Sequence, residues 1–262
     1  MQRLTSDSNP LFRRWLRLSA SSRVIRELRQ TLAEGLHVAQ TVVECGWPVA
    51  AVLVRRGADA QAIERVLAPL PTRTPRFELA ATLYDRLCPV EHGVGLTLVV
   101  AIRDAAVPAA SREDLVYLDG VQDPANVGAL LRSAAAAGIG HVLCGPSTAC
   151  AWAPKAMRAA MGAHLVVKIS ESVAPESMQA ALAGTWIAAV ARDATSLWQS
   201  DIPAHPVGWA FGSEGAGLSE AVLQRCAARV AIPISGAVES LNVAAAAAVC
   251  LFERRRRLLR VG

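Results

Sequence analysis

The sequence predicts an α/β fold in two parts. Apolar, strand-like runs alternate with segments of helical periodicity along most of the chain. A polar, weakly periodic stretch at residues 103–114 interrupts that alternation. The length of 262 residues suits one or two domains.

Residues 1–20 are basic and polar, with Asn9-Pro10 as a turn signal, and are expected to form an extension outside the domains. From Ser21 to about Cys45, Val24, Leu28, Leu32, Leu36 and Ala39 recur at three- and four-residue steps, which predicts one helix ended by Trp47-Pro48. Val49 to Val54 reads as a buried strand, Gln61 to Leu67 as a short helix, and Pro69 to Pro75 as a proline-rich connector. A helix from Leu79 to Leu87 and a strand from Gly95 to Ile102 complete a smaller α/β domain over residues 21–105. Residues 106–114 are the expected linker.

A second domain is expected over residues 115–262. Its strands are Leu115–Leu118, His141–Cys144, Leu165–Ile169, Trp186–Val190, Gly208–Phe211 and Arg229–Ile232. Helices are expected over 124–137, 155–161 and 175–183, with a final one from about Asn242. No internal repeat is present.

Composition narrows the function classes. Hydrophobic residues make up 53% and charged residues 19%, which excludes a wholly disordered chain. The longest clean apolar run, Val243 to Phe252, is half of what a membrane-spanning helix needs. The N-terminus lacks the early apolar stretch of a secretory signal, so a soluble, cytoplasmic protein is expected. None of the cysteines, at 45, 88, 144, 150, 226 and 250, forms a C-x-x-C pair, so free thiols and no metal site are expected. The net charge is +5, and its excess sits at the two ends. Residues 1–30 hold seven Arg against Asp7 and Glu27, and residues 253–260 hold five Arg against Glu253. Two arginine-rich ends point to a polyanionic partner, the plain alternative being solubilising, helix-ending charge.

Three clusters hold residues with chemistry to offer. The first runs from Asp119 to Ser133, leaving a strand, turning at Gly120 and entering a helix with Asp123 as N-cap and Pro124 at its first position. Strand-to-helix turns of this kind bind ligands in α/β proteins. Asn126 and Arg132 are its polar residues without an obvious structural task, although Arg132 also reads as an ordinary exposed helix arginine. The second cluster, Phe211-Gly-Ser-Glu214-Gly-Ala-Gly217-Leu218, has three glycines that permit close backbone approach. It matches neither the dinucleotide fingerprint nor the phosphate loop, and Glu214 disfavours a phosphate. A glycine turn between strand and helix is the bland reading. The third cluster, Ile232 to Asn242, leads into an alanine run, where Ser240 or Asn242 also serves as a helix cap.

Asn126-x-Gly128-x-x-x-Arg132, Gly212-x-Glu214-x-x-Gly217-Leu218, and Ile232-Pro233 with Ser240-Leu241-Asn242 together resemble the three motifs of the SpoU (TrmH-like) branch of the SPOUT RNA methyltransferases. The resemblance covers about 115–257, including Ala153-Pro-Lys155-Ala-Met-Arg158, which is similar to the family's short Lys/Arg helix. More weakly, Thr5 to Pro10 and Glu34-Gly-Leu-His37 resemble the branch with an added L30e-like substrate-binding domain. Ala160 stands where many relatives have Ser, and Glu91-His92-Gly93 where many have Pro-Gln-Gly.

The resemblance implies a SPOUT α/β domain with a deep trefoil knot and a smaller N-terminal L30e-like α/β domain. It implies an S-adenosylmethionine-dependent 2′-O-ribose methyltransferase that works as a homodimer without metal. Cofactor contacts fall on Gly212, Ile232 and Leu241. Arg132 matches the proposed catalytic arginine, with Asn126, Glu214, Ser240 and Asn242 around it. Ribosomal RNA is the expected substrate; a tRNA ribose methyltransferase and a non-catalytic RNA-binding or ribosome assembly factor are the alternatives. Both arginine-rich ends are then expected to contact the RNA backbone.

Overall fold

The computed structural model describes residues 1–89 and 93–261, so Glu91 and His92 of the departure noted above lie outside the described residues. The chain divides into two compact units, Met1–Arg103 with Trp152–Leu165, and Asp104–Ala151 with Val166–Gly262.

The first unit contains β1 (Gln2–Leu4), α1 (Pro10–Ala20), α2 (Ser22–Leu28), β2 (Gln30–Glu34), α3 (Leu36–Glu44), β3 (Val49–Arg55), α4 (Ala60–Leu67), β4 (Arg76–Leu79), α5 (Ala81–Leu87) and β5 (Leu96–Ala101). Its sheet has the order β1-β4-β3-β5-β2, with β5 antiparallel to both neighbours. Residues 1–20 are therefore not an extension. β1 pairs with β4, and α1 buries Phe12, Trp15 and Leu18. Asn9 caps α1 by accepting from the N–H of Leu11 at 2.9 Å, and Pro10 occupies the first turn.

The single helix expected from Ser21 to Cys45 is three elements. Arg29 takes a left-handed conformation (φ 53°) that stops α2, and Gly35 (φ 102°) opens α3. Between them Gln30–Glu34 is a strand paired with β5 and almost wholly buried. A strand buried on both faces has no alternation to betray it, so Leu32 and Leu36 fell into step with the helical residues on either side.

Downstream, the elements are β6 (Leu115–Asp119), α6 (Pro124–Ala137), β7 (His141–Cys144), α7 (Pro154–Ala160), β8 (Lys168–Ser170), α8 (Met178–Ala181), β9 (Thr185–Ala189), β10 (Thr195–Ser196), β11 (Val207–Gly212), α9 (Glu220–Leu223), β12 (Ala228–Ala231) and α10 (Val243–Val261). All except α7 belong to the second unit, so the expected domain 115–262 is not continuous. α7 packs on β2 within the first unit, where Arg158 Nη1 donates to the buried Glu34 Oε2 at 2.8 Å and Thr31 Oγ1 donates to the Trp152 carbonyl at 2.5 Å. The strand expected at Leu165–Ile169 begins only at Lys168, and the helix expected over 175–183 shrinks to a 3-10 turn and α8.

The second unit is built on a parallel sheet in the order β10-β12-β9-β11-β6-β7-β8. Its core gathers Tyr117, Leu143, Met178, Trp186 and Val222. Gly208 makes room for Trp186, since a Cβ there would lie 2.2 Å from the indole. The stretch read as a linker is strapped to this unit: Ala105 N–H donates to the Ile169 carbonyl at 2.7 Å, and Ala110 and Ser111 donate to Ala180 and Ala181 at 2.7 and 2.8 Å. α10 lays Ala244, Ala247, Cys250 and Leu251 inward and packs along α6.

Most arginines of residues 253–260 have partners within the same unit, while Arg255, Arg256 and Arg260 remain exposed. Arg254 is buried and forks onto Asp114 at 2.8 and 3.2 Å, and it also donates to the carbonyls of Pro203 and His205. Arg255 donates to the Ala137 carbonyl at the end of α6 at 3.2 Å. Arg257 holds the carbonyls of Leu197 and Ser200 at 2.7 and 2.6 Å. Arg256 and Arg257 both bind Glu253 at 2.7 Å. Among the described residues, no helix is long and apolar enough to cross a membrane.

Candidate active site

The carboxyl ends of β9, β11 and β12 open onto a cavity of about 720 Å³. That is where a parallel α/β sheet places ligands, and the volume suits a nucleoside-sized molecule. Gly212, Glu214, Ile232, Ser240, Leu241 and Asn242, all singled out in the sequence, line it.

The glycine cluster forms a closed turn at the end of β11. Ser213 and Gly217 exchange two backbone hydrogen bonds of 3.0 Å, and Gly217 has φ +69°. A Cβ on Gly212 would lie 2.1 Å from the Gly217 carbonyl carbon and 2.3 Å from the Leu218 nitrogen, so the turn folds back over a backbone only glycine provides. Asp119, at the end of β6, accepts from the Ser219 N–H at 2.6 Å and ties the far side of the turn to the sheet. The local sequence around Asp119 carries no signal of this tie, because Ser219 lies 100 residues on.

A chain of side-chain hydrogen bonds joins the three motifs. Asn242 Oδ1 accepts from the N–H groups of Ala244 and Ala245 at 2.9 and 3.3 Å, capping α10. Its amide nitrogen must then face outward, and it donates to Asn126 Oδ1 at 3.0 Å. That orients Asn126 in turn, whose Nδ2 donates to Glu214 Oε1 at 2.7 Å. Gln122 N–H donates to the other carboxylate oxygen at 3.3 Å. Burial pushes the Glu214 carboxyl up, but the hydrogen bonds from Asn126 and from backbone N–H groups, including those of Gln122 and Asp123, outweigh it and hold the group below its ordinary value. Glu214 is therefore a fixed carboxylate. Asn242 thus caps α10 and orients Asn126 at once.

Arg132 stands apart. It is exposed on α6, and among the described residues no hydrogen bond or ion pair holds its guanidinium or joins it to the Glu214–Asn126–Asn242 chain. Ser240 lines the cavity from an exposed loop over 233–242.

The wall formed by Ala189, Val190 and Arg192 went unremarked in the sequence. The available signal was topological, since the carboxyl end of the strand at Trp186–Val190 belongs to the same sheet edge. At the mouth, Arg192 faces Glu239 at 3.7 Å, an exposed pair of little energetic weight.

Comparison with known proteins points in one direction. The SpoU rRNA Methylase family matches residues 114–252. The chain is 35% identical to the 23S rRNA (guanosine-2′-O-)-methyltransferase RlmB of Nitrosomonas europaea over 145 residues, 55% of this chain and 56% of that one, so the match spans little more than half of that relative. It is 26% identical to the 23S rRNA (guanosine(2553)-2′-O)-methyltransferase RlmP of Bacillus subtilis, across 97% of this chain and all of that one. Among solved structures, the SpoU methyltransferase AviRb of Streptomyces viridochromogenes in complex with AdoMet is similar, with a TM-score of 0.85 and 25% identity over 96% of this chain and 98% of that one.

Proposed function

Because the chain belongs to the SpoU rRNA methylase family, we propose that it methylates a ribose 2′-hydroxyl of ribosomal RNA with S-adenosylmethionine. The observation that carries this reading is the hydrogen-bonded chain Glu214–Asn126–Asn242, which links all three motifs at one cavity. The names of the RlmB and RlmP relatives favour ribosomal RNA over tRNA.

The cavity fits the cofactor on its own chemistry. Ala189, Val190, Ile232 and Leu241 offer apolar wall to an adenosyl group, and the ionised Glu214 suits a cation where it would repel a phosphate. The residues to hold it are Gly212, Ile232 and Leu241, with the turn at 213–217 supplying backbone groups. When bound, the cofactor supplies a methyl group made electrophilic by a sulfonium. Asn126 and Asn242 keep Glu214 oriented, and the α10 cap keeps Asn242 oriented. Arg132 carries a guanidinium suited to phosphate, so its role is to orient the ribose and adjacent phosphate and to stabilise the developing alkoxide. Ser240 flanks the acceptor from the exposed loop.

The reading brings with it a trefoil knot built from the loops at 212–218 and 232–242, an L30e-like RNA-binding role for the first unit, and action in the cytoplasm. It also makes the working form a homodimer that completes the surroundings of Arg132. Exposed apolar side chains at Val238 (56%), Leu241 (38%) and Phe252 (45%) support such an association.

The test is methyl incorporation from labelled S-adenosylmethionine into separate pools of undermodified ribosomal RNA and tRNA, with Arg132→Ala beside the wild type. Label resistant to alkaline cleavage at one ribose of ribosomal RNA is expected, lowered at least about 100-fold in the variant, with cofactor affinity within about twofold. Label in tRNA alone would reject the substrate class. Near-normal turnover by Arg132→Ala would reject its role.

A further inference from the structure

We propose that the exposed face of α1 formed by Arg13, Arg14 and Arg17 is a docking surface for the phosphate backbone of the RNA substrate. The proposal rests on the RNA methyltransferase reading above and assigns a surface to it.

On this face the guanidinium groups meet neutral partners or none. Arg13 Nε donates to the Asp7 backbone carbonyl at 3.3 Å, and Arg14 Nη2 to the neutral Gln30 amide at 3.0 Å. The Arg17 guanidinium makes no hydrogen bond or ion pair among the described residues. The nearby acids are committed elsewhere in sequence: the Asp7 carboxylate faces Arg86 at 3.5 Å, and Glu27 binds Arg23 at 2.7 Å. Among the described residues, no carboxylate pairs with the three guanidinium groups.

The face is also rigid. Phe12, Trp15 and Leu18 anchor the other side of α1, Trp15 meets Phe77 edge-on at 5.0 Å, and Asn9 caps the helix. Arg17, in the last turn, suits the helix dipole, but the other two charges do nothing for the helix. Arg13 and Arg17 are like charges one turn apart, and Arg13 and Arg14 lie near the positive end of the helix dipole. Such uncompensated cations on a fixed scaffold match a polyanion that brings its own negative charge. A helix lying on anionic lipid would need its apolar side outward, whereas here that side is buried. Arginine's planar fork fits phosphate oxygens in pairs.

The experiment measures binding of the full chain to a protein-free 23S ribosomal RNA transcript across a salt titration, alongside the methyl-incorporation assay and cofactor affinity. Arg13→Gln/Arg14→Gln/Arg17→Gln is expected to bind about tenfold or more weakly, with a salt slope reduced by about two to three. Arg13→Lys/Arg14→Lys/Arg17→Lys should keep most of that slope, and both variants should bind S-adenosylmethionine as the wild type does. If the wild type binds and methylates the RNA while the Gln variant binds within twofold and with an unchanged slope, the surface is wrong and the function stands. If the wild type neither binds nor methylates ribosomal RNA, the function falls and the surface with it. Preference for vesicles containing anionic lipid over RNA would also overturn the assignment.

Discussion

Arg254 is 4% exposed and spends its guanidinium on one carboxylate and two carbonyls of the same unit. Arg17, on α1, is exposed and spends its own on nothing among the described residues. Both belong to arginine-rich segments of similar net charge, and only the partners separate them. The C-terminal run commits Arg254, Arg255 and Arg257 to partners within its own unit, clamping the segment 197–205, the end of α6 and Asp114 just before β6. The α1 face leaves its charge for something outside. A charge sum therefore locates arginines without saying whether they are structural.

The widest gap between the two regions is expected in stability. Arg254→Ala should destabilise the protein by about 3–5 kcal/mol, because it strands Asp114 and two carbonyls in a nearly dry site. Urea denaturation followed by tryptophan fluorescence measures it. A loss below about 1 kcal/mol would mean that the clamp is decorative, and the contrast with α1 would lose its basis.

Glu253 sharpens the same point through pH. The hydrogen bond from Arg256, with further help from Arg257 and against some burial cost, lowers its carboxyl from 4.5 to about 2. A group lowered on folding stabilises the fold above its unfolded value, and that contribution disappears as pH falls through the folded one. Glu253→Gln is thus expected to cost about 1–2 kcal/mol at neutral pH, with the difference from wild type shrinking between about pH 4.5 and 2. A pH-independent difference would assign the effect to packing instead.

What was legible in the sequence follows the same division between local and distant partners. Gly212, Glu214 and Asn242 were legible because each sits in a short motif whose residue types limit what the backbone and side chain can do. The alternation of strands and helices in the second unit was legible from local periodicity. Arg254 was not, since its partners Asp114, Pro203 and His205 lie 140, 51 and 49 residues away. β2 was hidden because burial on both faces erased its alternation. α1 was hidden by its own charge: Phe12, Trp15 and Leu18 mark an amphipathic face, but the arginines between them drew the stretch into a basic tail.

The smallest expected effect is the most discriminating, because its sign is opposite. Arg13 repels Arg17 one turn on, so neutralising it removes that unfavourable term and no ion pair, at the loss of one exposed hydrogen bond to the Asp7 carbonyl. Arg13→Gln should leave stability unchanged or raise it by up to about 0.5 kcal/mol, while weakening RNA binding as part of the α1 surface. Urea midpoints of Arg13→Gln and wild type, taken beside Arg254→Ala, make the comparison directly. A loss above about 1 kcal/mol would place Arg13 with the structural arginines, and the two regions would no longer differ in kind. A gain in stability paired with a loss of RNA affinity is the signature of a residue retained for a partner rather than for the fold.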